Sequence, residues 1–269
     1  MKSQLLQVNN LTVRFPIKKG VFARTVGWVN AVRDVSFHLS KGETLGIVGE
    51  SGSGKSTVAR AVLLLNKPSS GEILLEGEDI RSFRKEKLSA YRRAVQAVFQ
   101  DPLASLNPRH TVMEILTEGS IVHGLIKVNE RKDAAVELLE AVGLNSSALD
   151  RYPHAFSGGQ RQRICIARAL ALKPRILICD EAVSALDLSV RAQILNLLEE
   201  LKKKYSLSYL FITHDIGVVR HISDRIVVMH KGQIVEMGEA QSVLDHPQND
   251  YTKYLMSAVP RIGEPMKEE

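Results

Sequence analysis

Cysteine is scarce. Two thiols in 269 residues, Cys165 and Cys179, both inside apolar stretches, exclude a disulfide-stapled scaffold and a cysteine-built zinc site, and point to a reducing compartment and to small core residues. Long apolar runs are missing too. The longest candidates, "AVLLL" and "ILIC", fall far short of the roughly 18 residues that a membrane-spanning helix needs, so the chain is expected not to cross a bilayer by itself. The opening residues, "MKSQLLQVNN", lack the basic-then-apolar pattern of a secretion signal. No internal repeat and no low-complexity linker divides the chain, which leaves one folding unit over 1–269, long enough to bury a substantial core, as the simplest organisation.

The net charge is +6, much of it carried by short basic blocks, "RSFRKEKLSAYRR" and "KKK" at Lys202 to Lys204. Such blocks are either solvated helix faces or attractions to an anionic surface, the inner leaflet of a membrane or nucleic acid; charge alone does not choose.

The first 40 residues alternate as strands do, "LLQVNNLTVRF" and "AVRDVSFHL", around a polar and basic insert, "PIKKGVFARTVGWVN", which predicts an antiparallel flap. From Gly42 short apolar runs bounded by glycine give way to helical periodicity: "TLGIVG" then "KSTVARAVLLL", "RILICD" then "LSVRAQILNLLEELKKKY", then "SYLFIT" and "RIVVM". Alternation of this kind implies a parallel sheet covered by helices. Between Gln100 and Phe156 the strand signal stops, and "TVMEILTEGSIVHGL" and "ERKDAAVELLEAVGL" carry apolar residues three and four apart, predicting a helical sub-lobe over 101–158. The tail, 240–269, reads as weakly helical.

"GESGSGKS", Gly49 to Ser56, matches G-x-x-x-x-G-K-[ST] and lies where that pattern works, after the strand "TLGIV" and before a helix. Gly49, Gly52 and Gly54 let backbone N–H groups turn inward on phosphate oxygens, and the helix N-terminus adds its positive dipole end. The binding candidates are Gly49, Glu50, Ser51, Gly52, Ser53, Gly54, Lys55, Ser56 and Thr57, with Lys55 for the β- and γ-phosphates and the Ser56 hydroxyl for Mg²⁺. A glycine turn that binds nothing is the alternative, and the lysine-serine pair at the helix start argues against it.

"ILICDE" ends an apolar strand in two acids whose burial demands a cation or a mobile proton. Asp180 is the expected outer-sphere Mg²⁺ carboxylate and Glu181 the base that polarises a water for attack on the γ-phosphate. "LFITHD" repeats the layout and offers His214 to the charge that develops on that phosphate. Gln100, closing "AVQAVFQ", fits a further polar probe for metal and nucleotide at the next strand end. A second cradle, "FSGGQRQR", has small residues suited to an anion but no lysine to grip a nucleotide alone.

These elements in this order resemble, over essentially the whole chain, the nucleotide-binding subunit of an ATP-binding cassette transporter. The resemblance implies a P-loop cassette of the α/β class: a mixed sheet with helices, an N-terminal antiparallel flap, an inserted helical sub-lobe and a family-specific C-terminal tail. It implies ATP and Mg²⁺ as cofactors, and two cassettes head to tail with two ATP molecules between them. The loop Ser157, Gly158, Gly159, Gln160 would then cap the nucleotide of the facing subunit, with Ser157 and Gly159 on its γ-phosphate, and "SALD", Ser184, Ala185, Leu186 and Asp187, would cross between subunits. Phe15 in the flap is the first choice to stack on adenine, Trp28 the alternative, and strand-end packing the plain role for Phe15. Phe156 and Ala182 depart from the family's commonest leucine and proline, at positions that supply no group to ATP.

"FQDPLASLNPRHTV", "DRYPHAFSGGQRQRICIARAL" and "HPQNDYTKYLMSAVP" narrow the resemblance to the branch that energises bacterial uptake of dipeptides, oligopeptides and nickel, although Asn249 and Asp250 stand where a second His-Pro is common. That branch implies a sister ATPase in a heterodimer, two transmembrane permease subunits, an extracytoplasmic solute-binding protein, and a place on the cytoplasmic face of the cell membrane, with no nucleic acid. Peptide is favoured as solute over nickel or a metal chelate. Rival readings are an ATPase of this fold acting on DNA or the ribosome, which would need a coiled-coil arm, zinc cysteines or paired cassettes, and an isolated P-loop kinase or NTPase, which leaves "SGGQ" unexplained.

Overall fold

The computed structural model describes residues 3–20 and 24–257. The first two residues, 21–23 and the outer end of the expected tail, 258–269, lie outside the described residues.

Strands β1 (Gln4–Lys19) and β2 (Arg24–Ser40) form the expected antiparallel pair, Val8 opposite Phe37 and Phe15 opposite Val29. Most of the described part of the stretch read as an insert between them is itself strand: Pro16 faces Trp28 and Lys19 faces Arg24. Nearly every side chain there is exposed, so the apolar alternation that reveals a half-buried strand is missing.

β3 (Thr44–Val48) runs into the glycine loop and α1 (Lys55–Val62). β4 (Ser70–Leu75) and the short β5 (Glu78–Asp79) then turn back to complete a sheet in the order β2-β1-β4-β5. α2 (Lys85–Ala94) leads into β6 (Val95–Phe99). The span 101–158 carries α3 (Pro102–Ser105), α4 (Val112–Val122) and α5 (Arg131–Ala141). Thr111 and Glu114 close a reciprocal capping box at the start of α4.

α6 (Gly158–Leu170), β7 (Ile176–Asp180), α7 (Leu188–Tyr205), β8 (Ser208–Thr213), α8 (Ile216–Ile222), β9 (Arg225–His230) and β10 (Gln233–Glu239) follow. The tail begins with α9 (Ala240–Asp245) and α10 (Asp250–Ser257). The main sheet has the order β10-β9-β3-β8-β7-β6, parallel except for β10, which returns antiparallel along β9.

β3, β7 and β8 are buried along their whole length, which is why they read as unbroken apolar runs. The side chains of β7 and β8 alternate between two cores, and Ile47 of β3 joins the first of them. Ile47, Ile178 and Ile212 pack with α1 and the antiparallel sheet, while Cys179 and Phe211 pack with α6, α7 and the helical span. The antiparallel sheet therefore covers one face of the main sheet, a role the sequence pattern assigns to helices alone.

Of the basic blocks, Lys87 pairs with Glu78 at 2.6 Å and Lys202 with Asp224 at 2.8 Å. Lys202, Lys203 and Lys204 fill the last turn of α7, where the helix dipole favours cations.

Burial pushes the Cys165 thiol up to about 11 and the Cys179 thiol up to about 12. Neither is a thiolate at neutral pH. The native protein is expected to leave both unmodified by a thiol reagent, and denaturant to expose both; rapid labelling of either in native buffer would contradict this packing.

Candidate active site

Parallel strands end on the same side, and here that side collects the chemistry. Val48 of β3 is level with Thr213 of β8, and Phe99 of β6 with Asp180 of β7. The glycine loop, His214, the acidic pair and Gln100 thus emerge from one edge, the usual ligand-binding edge of such sheets.

Two glycines are required by contact as well as by φ. Gly49, at φ 148°, would bring a Cβ to 2.1 Å from the Met229 carbonyl oxygen, and Gly54, at φ 103°, to 2.4 Å from that of Ala31. Gly54 is also the N-cap of α1 and offers no side-chain acceptor, so the first amides of the helix have no partner of their own. Lys55 is 4% exposed and lies folded along the loop, its Nζ donating to the carbonyls of Gly49 and Glu50 at 2.7 Å each and reaching Ser53 Oγ at 3.3 Å. Burial lowers its pKa from the ordinary lysine value, with the charges of Glu181, Asp180 and Glu50 acting against that fall.

The Ser56 hydroxyl donates to Asp180 Oδ1 at 2.8 Å. Burial raises the Asp180 carboxyl above the usual range and Glu181 adds to the rise, while the Ser56 hydrogen bond, Arg60 and Lys55 oppose it. A hydroxyl and a costly buried carboxylate beside an open cleft fit Mg²⁺, a hard cation that takes one or two protein oxygens and completes its shell with phosphate and water. Among the described residues no group of three His, Cys, Asp or Glu side chains could hold a metal ion without that help.

Glu181 takes the left-handed conformation, φ 52°, directly after β7. Its amide donates to the Ile212 carbonyl at 2.9 Å, its carbonyl accepts the Ser184 hydroxyl at 2.9 Å, and its Oε1 lies 3.2 Å from His214 Nδ1. Gln100 joins Ser51, Ser56, Asp180 and Glu181 in lining a cleft of about 510 Å³. Arg60, one helical turn beyond Ser56, lines the same cleft and was not singled out from sequence; the i, i+4 spacing is the signal that reveals it.

Ser157, Gly158, Gly159 and Gln160 are not among the residues lining that cleft. Ser157 caps α6 in a capping box with Gln160, and both are exposed. A Cβ at Gly159 would lie 2.5 Å from Val190 Cγ1, so glycine here lets α6 approach the first turn of α7. Ser184 to Asp187 link the acidic strand end to α7, where Arg191 joins the Leu186 carbonyl to the carboxylate of Asp215, the residue after His214.

Phe15 lies two residues beyond buried Val13 and hence on its face of β1, while Trp28 pairs with Pro16 on the other face. Phe156, the departure from leucine, is buried, with the Arg151 guanidinium 4.5 Å from its ring centre.

A parallel sheet whose carboxyl edge carries a P-loop, an acidic strand end and a histidine defines a P-loop ATPase cassette. The chain belongs to the ABC transporter family, whose model matches residues 32–184. It is 52% identical to the oligopeptide transport ATP-binding protein AppF of Bacillus subtilis over 95% of this chain and 78% of that one. It is 51% identical to the glutathione import ATP-binding protein GsiA of Escherichia coli over 98% of this chain but only 42% of that protein. Among solved structures, cbiO1 of Clostridium perfringens, part of the ABC transporter complex cbiONQ, superposes with a TM-score of 0.77 at 27% identity, covering 91% of this chain and 92% of that one. A dimeric ATP-binding cassette in a post-hydrolysis state with ADP and phosphate gives a TM-score of 0.76 at 30% identity, covering 88% of this chain and 99% of that one. The chain is an ABC-type ATPase, and none of its described helices is long and apolar enough to cross a membrane.

Proposed function

We propose that this chain is the ATP-hydrolysing subunit of a bacterial importer of dipeptides and oligopeptides. It would sit on the cytoplasmic face of the membrane against two permease subunits, paired with a sister ATPase and supplied by an extracytoplasmic solute-binding protein. The observation that carries the chemistry is the convergence of Ser56, Asp180, Glu181, His214 and Gln100 on one edge. The names of the relatives support peptide as solute over nickel or a metal chelate, glutathione being itself a small peptide.

In this reading the Lys55 amine leaves the carbonyls of Gly49 and Glu50 for the β- and γ-phosphates, and the amides of the loop and of Ser56 and Thr57 surround them. Mg²⁺, when bound through Ser56 Oγ with Asp180 and Gln100 around it, supplies neutralisation of the charge on the transferred phosphoryl group. A carboxylate oxygen of Glu181 takes the proton of the attacking water, and His214 steadies that carboxylate and meets the developing charge. Phe15 stacks on adenine. The span 101–158 is assigned to the permease-facing lobe, and Ser157 to Gln160 and Ser184 to Asp187 to the facing subunit.

Lys55→Ala is the test. It removes a charge-assisted hydrogen bond, for which a weakening of ATP binding of about 10–150-fold is expected, read by equilibrium titration of the purified subunit. In cells, the same substitution is expected to abolish uptake of a labelled tripeptide. Unchanged affinity would reject the loop at Gly49 as the site, and lost affinity with intact peptide uptake would reject the solute class.

A further inference from the structure

The tail that narrowed the family branch, "HPQNDYTKYLMSAVP", has no part in the chemistry above, yet one of its side chains reaches the phosphate loop. The Glu50 amide donates to the Tyr251 hydroxyl at 3.1 Å, across 201 residues of sequence. The phenol is held in place from several sides. Glu236 on β10 accepts the amides of Gln248 and Asn249 at 2.8 and 3.1 Å, and Asn249 Oδ1 accepts the Tyr251 amide at 2.9 Å, which fixes the start of α10 on the sheet edge. The Tyr251 ring lies against the His230 imidazole at the end of β9, centroids 3.9 Å apart.

The turn after β9 grips the same loop from another side. Gly232 donates its amide to the Ser53 carbonyl at 3.0 Å, and the Met229 carbonyl fills the space beside Gly49. The entry half of the loop is therefore pinned at Glu50 and Ser53, upstream of the helix-start amides that would meet phosphate. Glu50 is exposed, so without the phenol its amide would turn to water and the loop entry would gain freedom that nucleotide binding must then remove.

We propose that Tyr251 is a positioning residue for nucleotide binding: its hydroxyl sets the Glu50 peptide, and the docked tail thereby presets the phosphate loop. The inference rests on the assignment of Gly49 to Ser56 as the ATP loop. Tyr251 touches no reacting atom, so its loss weakens binding and leaves the chemical step alone.

The test is steady-state ATPase kinetics and direct ATP binding on the complex assembled with its sister and permease subunits. Tyr251→Phe keeps the ring on His230 and removes only the hydroxyl. It is expected to raise KM for ATP about 3–10-fold with kcat within about twofold, while the nucleotide-free unfolding midpoint stays at the wild-type value. Tyr251→Ala, which also removes the ring, is expected to raise KM further. A Tyr251→Phe protein with wild-type KM and affinity overturns the proposal alone. A lowered unfolding midpoint without a change in KM also overturns it, since the hydroxyl would then serve stability only. A Lys55→Ala complex that binds ATP as tightly as the wild type overturns the loop assignment, and the proposal with it.

Discussion

Glu181→Gln is expected to leave ATP binding intact and to cut ATP turnover by about 10²–10⁴-fold. The substitution is nearly isosteric, and the left-handed backbone at this position suits glutamine no worse than glutamate. The amide can still bond to His214 and leaves the Ser56 and Asp180 pair untouched. What it cannot do is accept the proton of the attacking water. In the proposed pairing with a sister cassette, ATP binding draws the two together and hydrolysis releases them, so the substituted protein is expected to accumulate as an ATP-loaded dimer. Size-exclusion chromatography with Mg-ATP and the sister subunit reads that accumulation. Turnover at the parental rate would place the base elsewhere.

The acidic edge was legible because its strands are buried on both faces. β3, β7 and β8 each write an apolar run that stops abruptly, and the candidate site residues stand where the runs stop. α7 was equally plain, its apolar positions Ile194, Leu198 and Leu201 recurring at helical spacing before the basic last turn. The extension of β1 and β2 was not, since it is exposed on both sides and held by backbone hydrogen bonds, which carry no side-chain signature. β4 and β10 were missed for a similar reason: β4 buries only Ile73, and β10 is an edge strand with no fully buried residue. Tyr251 stood in a quoted motif, but its approach to Glu50 exists only once β9, β10 and α10 have packed. The Ser157 loop is a different case. Its composition suggested an anion, and only the family resemblance says whose.

The second large effect concerns that loop. Ser157 starts α6 on the surface and is not among the residues that line the cleft of Ser56, Asp180 and Glu181; in its own chain its hydroxyl caps the helix. If it caps the nucleotide of the facing subunit, Ser157→Arg fills the space meant for a γ-phosphate and removes a hydroxyl from it, and the site that fails is the partner's. The same substitution also deletes the α6 capping box, a loss of about 1 kcal/mol that Ser157→Ala shares. Ser157→Ala therefore separates lost helix capping from a blocked interface.

The decisive measurement is ATP turnover by a complex in which this chain carries Glu181→Gln, so that the remaining activity reports the site built on the sister's P-loop, with and without Ser157→Arg. The predicted result is loss of the remaining turnover, with ATP binding at this chain's own Lys55 loop unchanged and Ser157→Ala far milder. Turnover that persists in the double variant, with ATP lost from this chain's own loop instead, would contradict the shared-site arrangement.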